Sequence, residues 1–220
     1  MPGRAATSLG LLLALLGPIL IALVGEPMNH VLSPLTASLV GELALVAVVA
    51  GVLLIVLRWE RQPLSSIGLR PPRWQSLAWG LALAAFFIYV FAPAVFWALQ
   101  RLHLQGFESG LNKLSGLPLW VVVLAVVIGG FAEEVLYRGY AIERLSALSG
   151  SPWIGGLVPL AIFTVAHVPG WGWGPALTTF VSGGVITLFY LWKRDLPATI
   201  IAHIVTDFVG IVVTPWLARG

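Results

Sequence analysis

The sequence predicts an all-α fold, a polytopic transmembrane helical bundle of about seven spans, with six to eight compatible with the pattern. Three observations carry this. Of 220 residues, 59% are hydrophobic and 10% are charged, whereas soluble domains carry about 25% charged residues. The apolar residues fall in runs close to the ~20 that a helix needs to cross a bilayer. The basic residues collect on alternate connectors, as they do in multi-pass proteins. The length suits one compact bundle, a single integral membrane domain over 1–220. There is no cysteine, which excludes disulfides, thiolate metal sites and a cysteine nucleophile. The basic residues are scattered, without a basic aromatic groove, so no nucleic-acid partner is expected.

The spans fall at roughly 8–26, 38–57, 75–99, 118–137, 152–169, 176–192 and 196–216. The first, in "MPGRAATSLGLLLALLGPILIALVG", has a basic start and an apolar core. No Ala-x-Ala cleavage site follows it, so it reads as a retained span rather than a signal peptide. A short re-entrant piece in 27–40 would change the count. The connector "RWERQPLSSIGLRPPRW", 58–74, is the longest polar stretch, and Pro71 and Pro72 stop any helix in it. Trp59, Trp74, Trp120, Trp153, Trp171, Trp173, Trp192 and Trp216 sit near the span ends, as an aromatic belt does at headgroup level.

With the N-terminus inside, Arg4, Arg58, Arg61, Arg70, Arg73, Arg138, Arg144, Lys193 and Arg194 are cytoplasmic, and only Arg101, Lys113 and Arg219 are outside. This bias predicts a multi-pass protein of a cell membrane with a cytoplasmic N-terminus. The high Arg-to-Lys ratio suggests a bacterial source and its inner or plasma membrane.

Three polar islands interrupt the apolar runs. Glu133, Glu134 and Arg138 lie in "GGFAEEVLYRGY"; His167 ends "FTVAH"; His203 and Asp207 bound "HIVTD". A charged side chain at mid-span costs about 2.5–3.5 kcal/mol on insertion scales, so each needs a partner, water or a function. Glu134 and Arg138 are i,i+4 with the acid first, the favourable order. Glu133 lies about 100° around the helix, facing another surface. Phe163 with His167, and His203 with Asp207, are also i,i+4 pairs sharing a face. "SGSP", 149–152, signals a turn. Glu133 stands 17 residues before Gly150 and His167 17 residues after it, so a fold-back there puts them at equal height. His203 is only about 12 Å from its own cytoplasmic turn, against about 25 Å for Glu133. The heights agree if the 138–160 hairpin, with the amphipathic charge of "YRGYAIERL", projects beyond the bilayer. "VPGWGWGP" after His167 reads as irregular backbone at depth, tolerated only where it is buried in protein or lines a wet cavity.

The set "EExxxR", "FxxxH" and "HxxxD" resembles the three motifs of the CPBP family, intramembrane proteases related to the CAAX prenyl endopeptidase and the bacterial Abi proteins. "RGY" after the first motif, and "FVSGGVITLFYLWKRDLPATIIAHIVTD" through the third, resemble the family too. The likeness covers about 118–210, which would carry the protease-like core, and the first hundred residues match only as generic spans. The resemblance implies an endopeptidase in which Glu133 and His167 polarise a water for attack on a peptide carbonyl. Glu134 and Arg138 would orient the site, and His203 with the fourth residue after it would stabilise the oxyanion. The family often has Asn in that last place and this chain has Asp207. An ionised Asp cannot donate to an oxyanion, so Asp207 is protonated, orients His203, or ligates a metal. Glu133, His167, His203 and Asp207 are also the ligand types of a zinc site with an open position. The cofactor is thus none or a divalent metal, zinc if any, and the reading leans to the metal-free route.

Other readings compete. A rhomboid-type serine protease would need a pair such as Ser182 with His203, but Phe180 breaks the GxSG context. There is no HExxH, which excludes a zincin, and no paired repeat pointing to a transporter. The serious rival is a catalytically silent membrane scaffold or immunity protein of the same fold. Expected partners are the lipid bilayer and a peptide or membrane-protein substrate, such as a bacterial pheromone or bacteriocin precursor. The oligomeric state is left open. His30 and His103 are assigned nothing, Glu26 and Glu42 read as solvated span-edge charges, and the glycines at 129–130, 155–156 and 183–184 read as close helix packing.

Overall fold

The computed structural model describes residues 3–104 and 106–217, apart from the side chain of Glu26, so the expectations for Glu26 and Arg219 lie outside the described residues. The described residues form eight main helices and no strand. They are α1 (Arg4–Met28), α2 (Pro34–Trp59), α3 (Trp74–Arg101), α4 (Glu108–Ser115), α5 (Leu119–Ser149), α6 (Pro152–Trp171), α7 (Trp173–Lys193) and α8 (Leu196–Leu217). All but α4 are long and apolar enough to cross a membrane, which makes this a multi-pass membrane protein of seven candidate spans.

Local chemistry explains the helix ends. Ser33 caps α2 by accepting from the Thr36 N–H at 3.2 Å, with Pro34 at the first helical position. Ser151 and Pro152 do the same for α6. Gly150 ends α5 at φ 69°, a left-handed position that suits a residue without Cβ. Asp195 caps α8 through the Ala198 N–H at 3.2 Å and also accepts from Ser76 Oγ at 2.8 Å, tying the start of α8 to the start of α3. The α3–α8 pair then packs closely at Gly80, where a Cβ would stand 2.8 Å from the Ala198 carbonyl oxygen. The segment 27–40 holds a turn between α1 and α2, not a re-entrant helix. Trp59, Trp74, Trp120, Trp153, Trp173, Trp192 and Trp216 are exposed. Trp171 differs, being packed on Phe107 and over Gly110 of α4.

Several expectations are corrected. The backbone through "VPGW" is helical: α6 runs to Trp171, and Gly172, at φ 88°, is the single residue joining it to α7. Pro169 lacks an N–H, yet its fixed φ fits a helix, and glycine alone supplies the break. Of the charges of "YRGYAIERL", the two arginines face protein, while Glu143 stays part-exposed and pairs with Arg194. Arg138 and Arg144 are buried, and Arg144 reaches Glu60 from Nη2 at 2.6 Å and from Nε at 2.9 Å. Glu60, in the stretch read as a polar connector, is itself buried and also accepts from Thr7 Oγ1 at 3.0 Å and Tyr140 Oη at 2.9 Å. One carboxylate thus fastens α1, the end of α2 and α5 together. Gly129 packs against nothing within 4 Å, whereas Gly130, Gly155, Gly156 and Gly183 do lie in tight helix contacts. The polar connector after α3 contains α4, too short and too polar to read as a span. Its Ser109 donates to the Trp171 carbonyl at 3.3 Å.

Candidate functional site

The site grows from one helical fact: adjacent residues of α5 point about 100° apart. Glu134 turns into the protein and is fully buried, while Glu133, with 24% of its side chain exposed, turns to a cavity. A π-helical turn begins at Glu134 and runs to Ala141, and another, Phe208–Val213, begins directly after Asp207. Such turns occur often at functional sites.

Glu134 organises the buried half. Its Oε1 accepts from Arg138 Nη1 at 3.0 Å and faces His203 Nδ1 at 2.8 Å. Arg138 lies over the Phe163 ring, 4.3 Å from its centre, and directs its other terminal nitrogen to the Gly183 carbonyl at 3.4 Å. Gly183 makes room for this: a Cβ there would meet Arg138 Nη2 at 3.0 Å and Leu160 at 3.1 Å. Arg138 therefore links α5, α6 and α7, and Glu134 links α5 to α8.

The open half has Glu133 between the two histidines. His203 Nε2 is 3.6 Å from Glu133 Oε2 and 3.4 Å from Asp207 Oδ2. His167 Nε2 is 4.0 Å from Glu133 Oε1. His167 Nδ1 lies 2.8 Å from the Phe163 carbonyl. A carbonyl only accepts, so Nδ1 carries a proton, and Nε2 is the nitrogen turned toward Glu133. Edge contact of Phe163 with Tyr137, at 5.0 Å between centroids, fixes the ring on which His167 rests at 4.5 Å. Glu133, His167, His203, Asp207 and Arg138 all border one cavity of about 640 Å³, and Glu134 stands behind it. The remainder of its wall is mainly apolar, contributed by α3, α4, α5 and α8.

Glu42 is also on that wall. The sequence reading left it as a solvated edge charge, but it sits within α2 and one of its carboxylate oxygens is shielded without a hydrogen-bond partner among the described residues. The signal available was a lone Glu inside "ASLVGELALVAVVAG", at odds with the apolar surroundings. Ser182 borders the cavity too, but its hydroxyl donates to the Thr179 carbonyl at 3.4 Å.

A catalytic zinc would need three of these side chains around one ion. Among the described residues no three His, Asp or Glu side chains converge as ligands of one ion. Both nitrogens of His203 face carboxylates, at 2.8 Å and 3.4 Å, which leaves this ring oriented as a donor rather than a ligand. The residues as arranged do not fit a three-ligand metal site.

Seven apolar helices and a cavity of carboxylates and histidines define a multi-pass membrane protein with a polar site enclosed by its helices. Residues 115–209 match the model of the family described as type II CAAX prenyl endopeptidase, Rce1-like, the family that the three motifs resemble. The match covers α5 to α8 as far as the second residue past Asp207 and contains Glu133, Glu134, Arg138, His167, His203 and Asp207. No curated protein and no solved structure matches the chain. The matched segment, less than half of the chain, is similar to a family of CAAX-type membrane proteases.

Proposed function

We propose that the protein is an intramembrane endopeptidase that hydrolyses a peptide bond with water activated by Glu133 and His167. The observation that carries this is the pair of acceptors facing each other at 4.0 Å. Neither the Glu133 carboxylate nor the His167 Nε2 lone pair can hydrogen-bond to the other. A water between them donates to both, which is the arrangement that raises its nucleophilicity.

In the proposed reaction the water oxygen bonds to the scissile carbonyl carbon while its proton passes to Glu133. The carbonyl electron pair moves onto oxygen, where a protonated His203 donates from Nε2. Glu134 accepts from Nδ1 and holds that ring, and Arg138 holds Glu134. Asp207 takes the orienting role of the three considered, because its oxygen faces His203 Nε2 at 3.4 Å. Glu133 then returns the proton to the amine as the C–N bond breaks and the carbonyl re-forms, which leaves a carboxylic acid and a free amine. The apolar part of the cavity suits a peptide or membrane-protein segment as substrate. The positive-inside pattern supports a cytoplasmic N-terminus, and the high Arg-to-Lys ratio supports a bacterial cell membrane.

The test is Glu133→Gln on a cleavable membrane-peptide reporter in liposomes. Gln keeps shape and hydrogen bonding but accepts no proton, so cleavage should fall by about 10²–10⁴-fold or more, with the melting temperature retained. Full activity in this variant removes the proposal. Absence of cleavage by the wild type across a broad peptide panel favours the silent scaffold or immunity protein instead.

A further inference from the structure

We infer that Glu42 is a specificity residue that receives a positively charged group of the substrate, a guanidinium or an ammonium, in the cavity that Glu133 and the histidines border. The inference rests on the peptidase reading for what happens to the substrate, but not for its binding. Glu42 lies in α2, outside the segment that carries the motifs, and reaches the same cavity from a different wall. Its neighbours in α2 are apolar, and its Oε2 is shielded from solvent without a hydrogen-bond partner among the described residues. The buried carboxylates Glu134 and Glu60 each have a cation, Arg138 and Arg144. A shielded polar oxygen with no partner in the chain is costly, and something outside the chain that donates to it removes the cost.

Charge balance says what that something is. Among the described residues bordering the cavity, Arg138 is the only Lys or Arg, and it is committed to Glu134 and to the Gly183 carbonyl. His203 lies between Glu134, Asp207 and Glu133. Glu42, Glu133 and Asp207 therefore border the cavity with no uncommitted Lys or Arg among the described residues beside them, only His167 and His203. A substrate cation would correct the imbalance, and a guanidinium does so best because it can bridge both oxygens of a carboxylate. A structural role for Glu42 would instead need a partner on a neighbouring helix.

The experiment uses the full chain in detergent and a Leu/Ala-rich peptide series in which a single Arg or a single Gln is walked along the sequence. Binding is read by fluorescence anisotropy and cleavage is read in parallel. At one or more positions the wild type should prefer Arg over Gln by about tenfold, equivalent to ~1.4 kcal/mol. Glu42→Gln should reduce that ratio to within about twofold, and Glu42→Lys should shift the preference to a peptide bearing Glu. Glu42→Asp keeps the charge and should retain an Arg preference, which covers the case in which the other variants fail to fold. An Arg preference that survives in Glu42→Gln, or none at any position in the wild type, overturns the inference. If no peptide is cut, the peptidase reading fails, and the binding ratio still decides the role of Glu42.

Discussion

Removing Arg138 probes the whole site through one bond. In Arg138→Ala, Glu134 loses the guanidinium that meets it at 3.0 Å, in a place where the two side chains are 2% and 0% exposed. Water cannot replace the lost donor there. Removing one partner of a buried ion pair costs about 3–5 kcal/mol, because the other charge is left uncompensated. Loss of the Arg138 stack on Phe163, at 4.3 Å, adds about 1 kcal/mol. For a chain of this size each kcal/mol moves the melting temperature by about 2–4 °C, so a drop of at least ~8 °C is expected. Glu134 then pulls on His203 alone, and the ring shifts from its place beside Glu133, which should lower cleavage by about tenfold or more. The assay is thermal unfolding in detergent, followed by the fluorescence of the 10 tryptophans, with reporter cleavage on the same preparation. The double variant Glu134→Leu, Arg138→Met separates the two effects. Replacing a buried pair by apolar residues is often neutral for stability, but His203 Nδ1 would have no acceptor, so this variant should melt near the wild type and cut nothing. Glu134→Gln should lose stability before activity. Melting and cleavage both unchanged in Arg138→Ala would refute the reasoning, and the ion pair would be incidental.

Gly183→Ala should reproduce a weaker form of the same defect, costing about 1–3 kcal/mol, because its Cβ would press on Arg138 and Leu160 at 3.0 and 3.1 Å; a melting temperature equal to the wild type would count against the packing argument. Asp207→Asn retains an oxygen to face His203 and gains a donor, so cleavage should stay within about tenfold of the wild type, whereas Asp207→Ala should lose about 10²-fold. Equal losses in both variants would show that the negative charge itself is needed. Prolonged dialysis against a strong chelator should leave the cleavage rate within about twofold; inactivation reversed by zinc would restore the metal reading.

The spans and the three motifs were legible because each depends on local spacing. Seven apolar runs, the turn at Gly150 and the i,i+4 pairs need only a helical period and a length to be read. What was misread has partners far along the chain. Glu60 looked like a connector charge until Arg144, 84 residues away, was placed beside it. Glu42 looked like an edge charge until α2 was packed against α5. The continuity of α6 through Pro169, and the small helix α4 under Trp171, were hidden because glycine and proline mark a break without saying which residue takes it.

By itself the sequence determined that this is a multi-pass helical membrane protein carrying three polar motifs in order, since insertion into lipid penalises charges residue by residue and helical period assigns faces. Only the tertiary structure decided which carboxylate turns inward and which toward the cavity. It also set the tautomer that the Phe163 carbonyl imposes on His167, and the side on which His203 meets Glu134. Those outcomes depend on how α5, α6, α7 and α8 approach one another. That approach is set by side-chain volume at contacts such as Gly130 with Ile204 and Gly183 with Arg138, which no local spacing encodes.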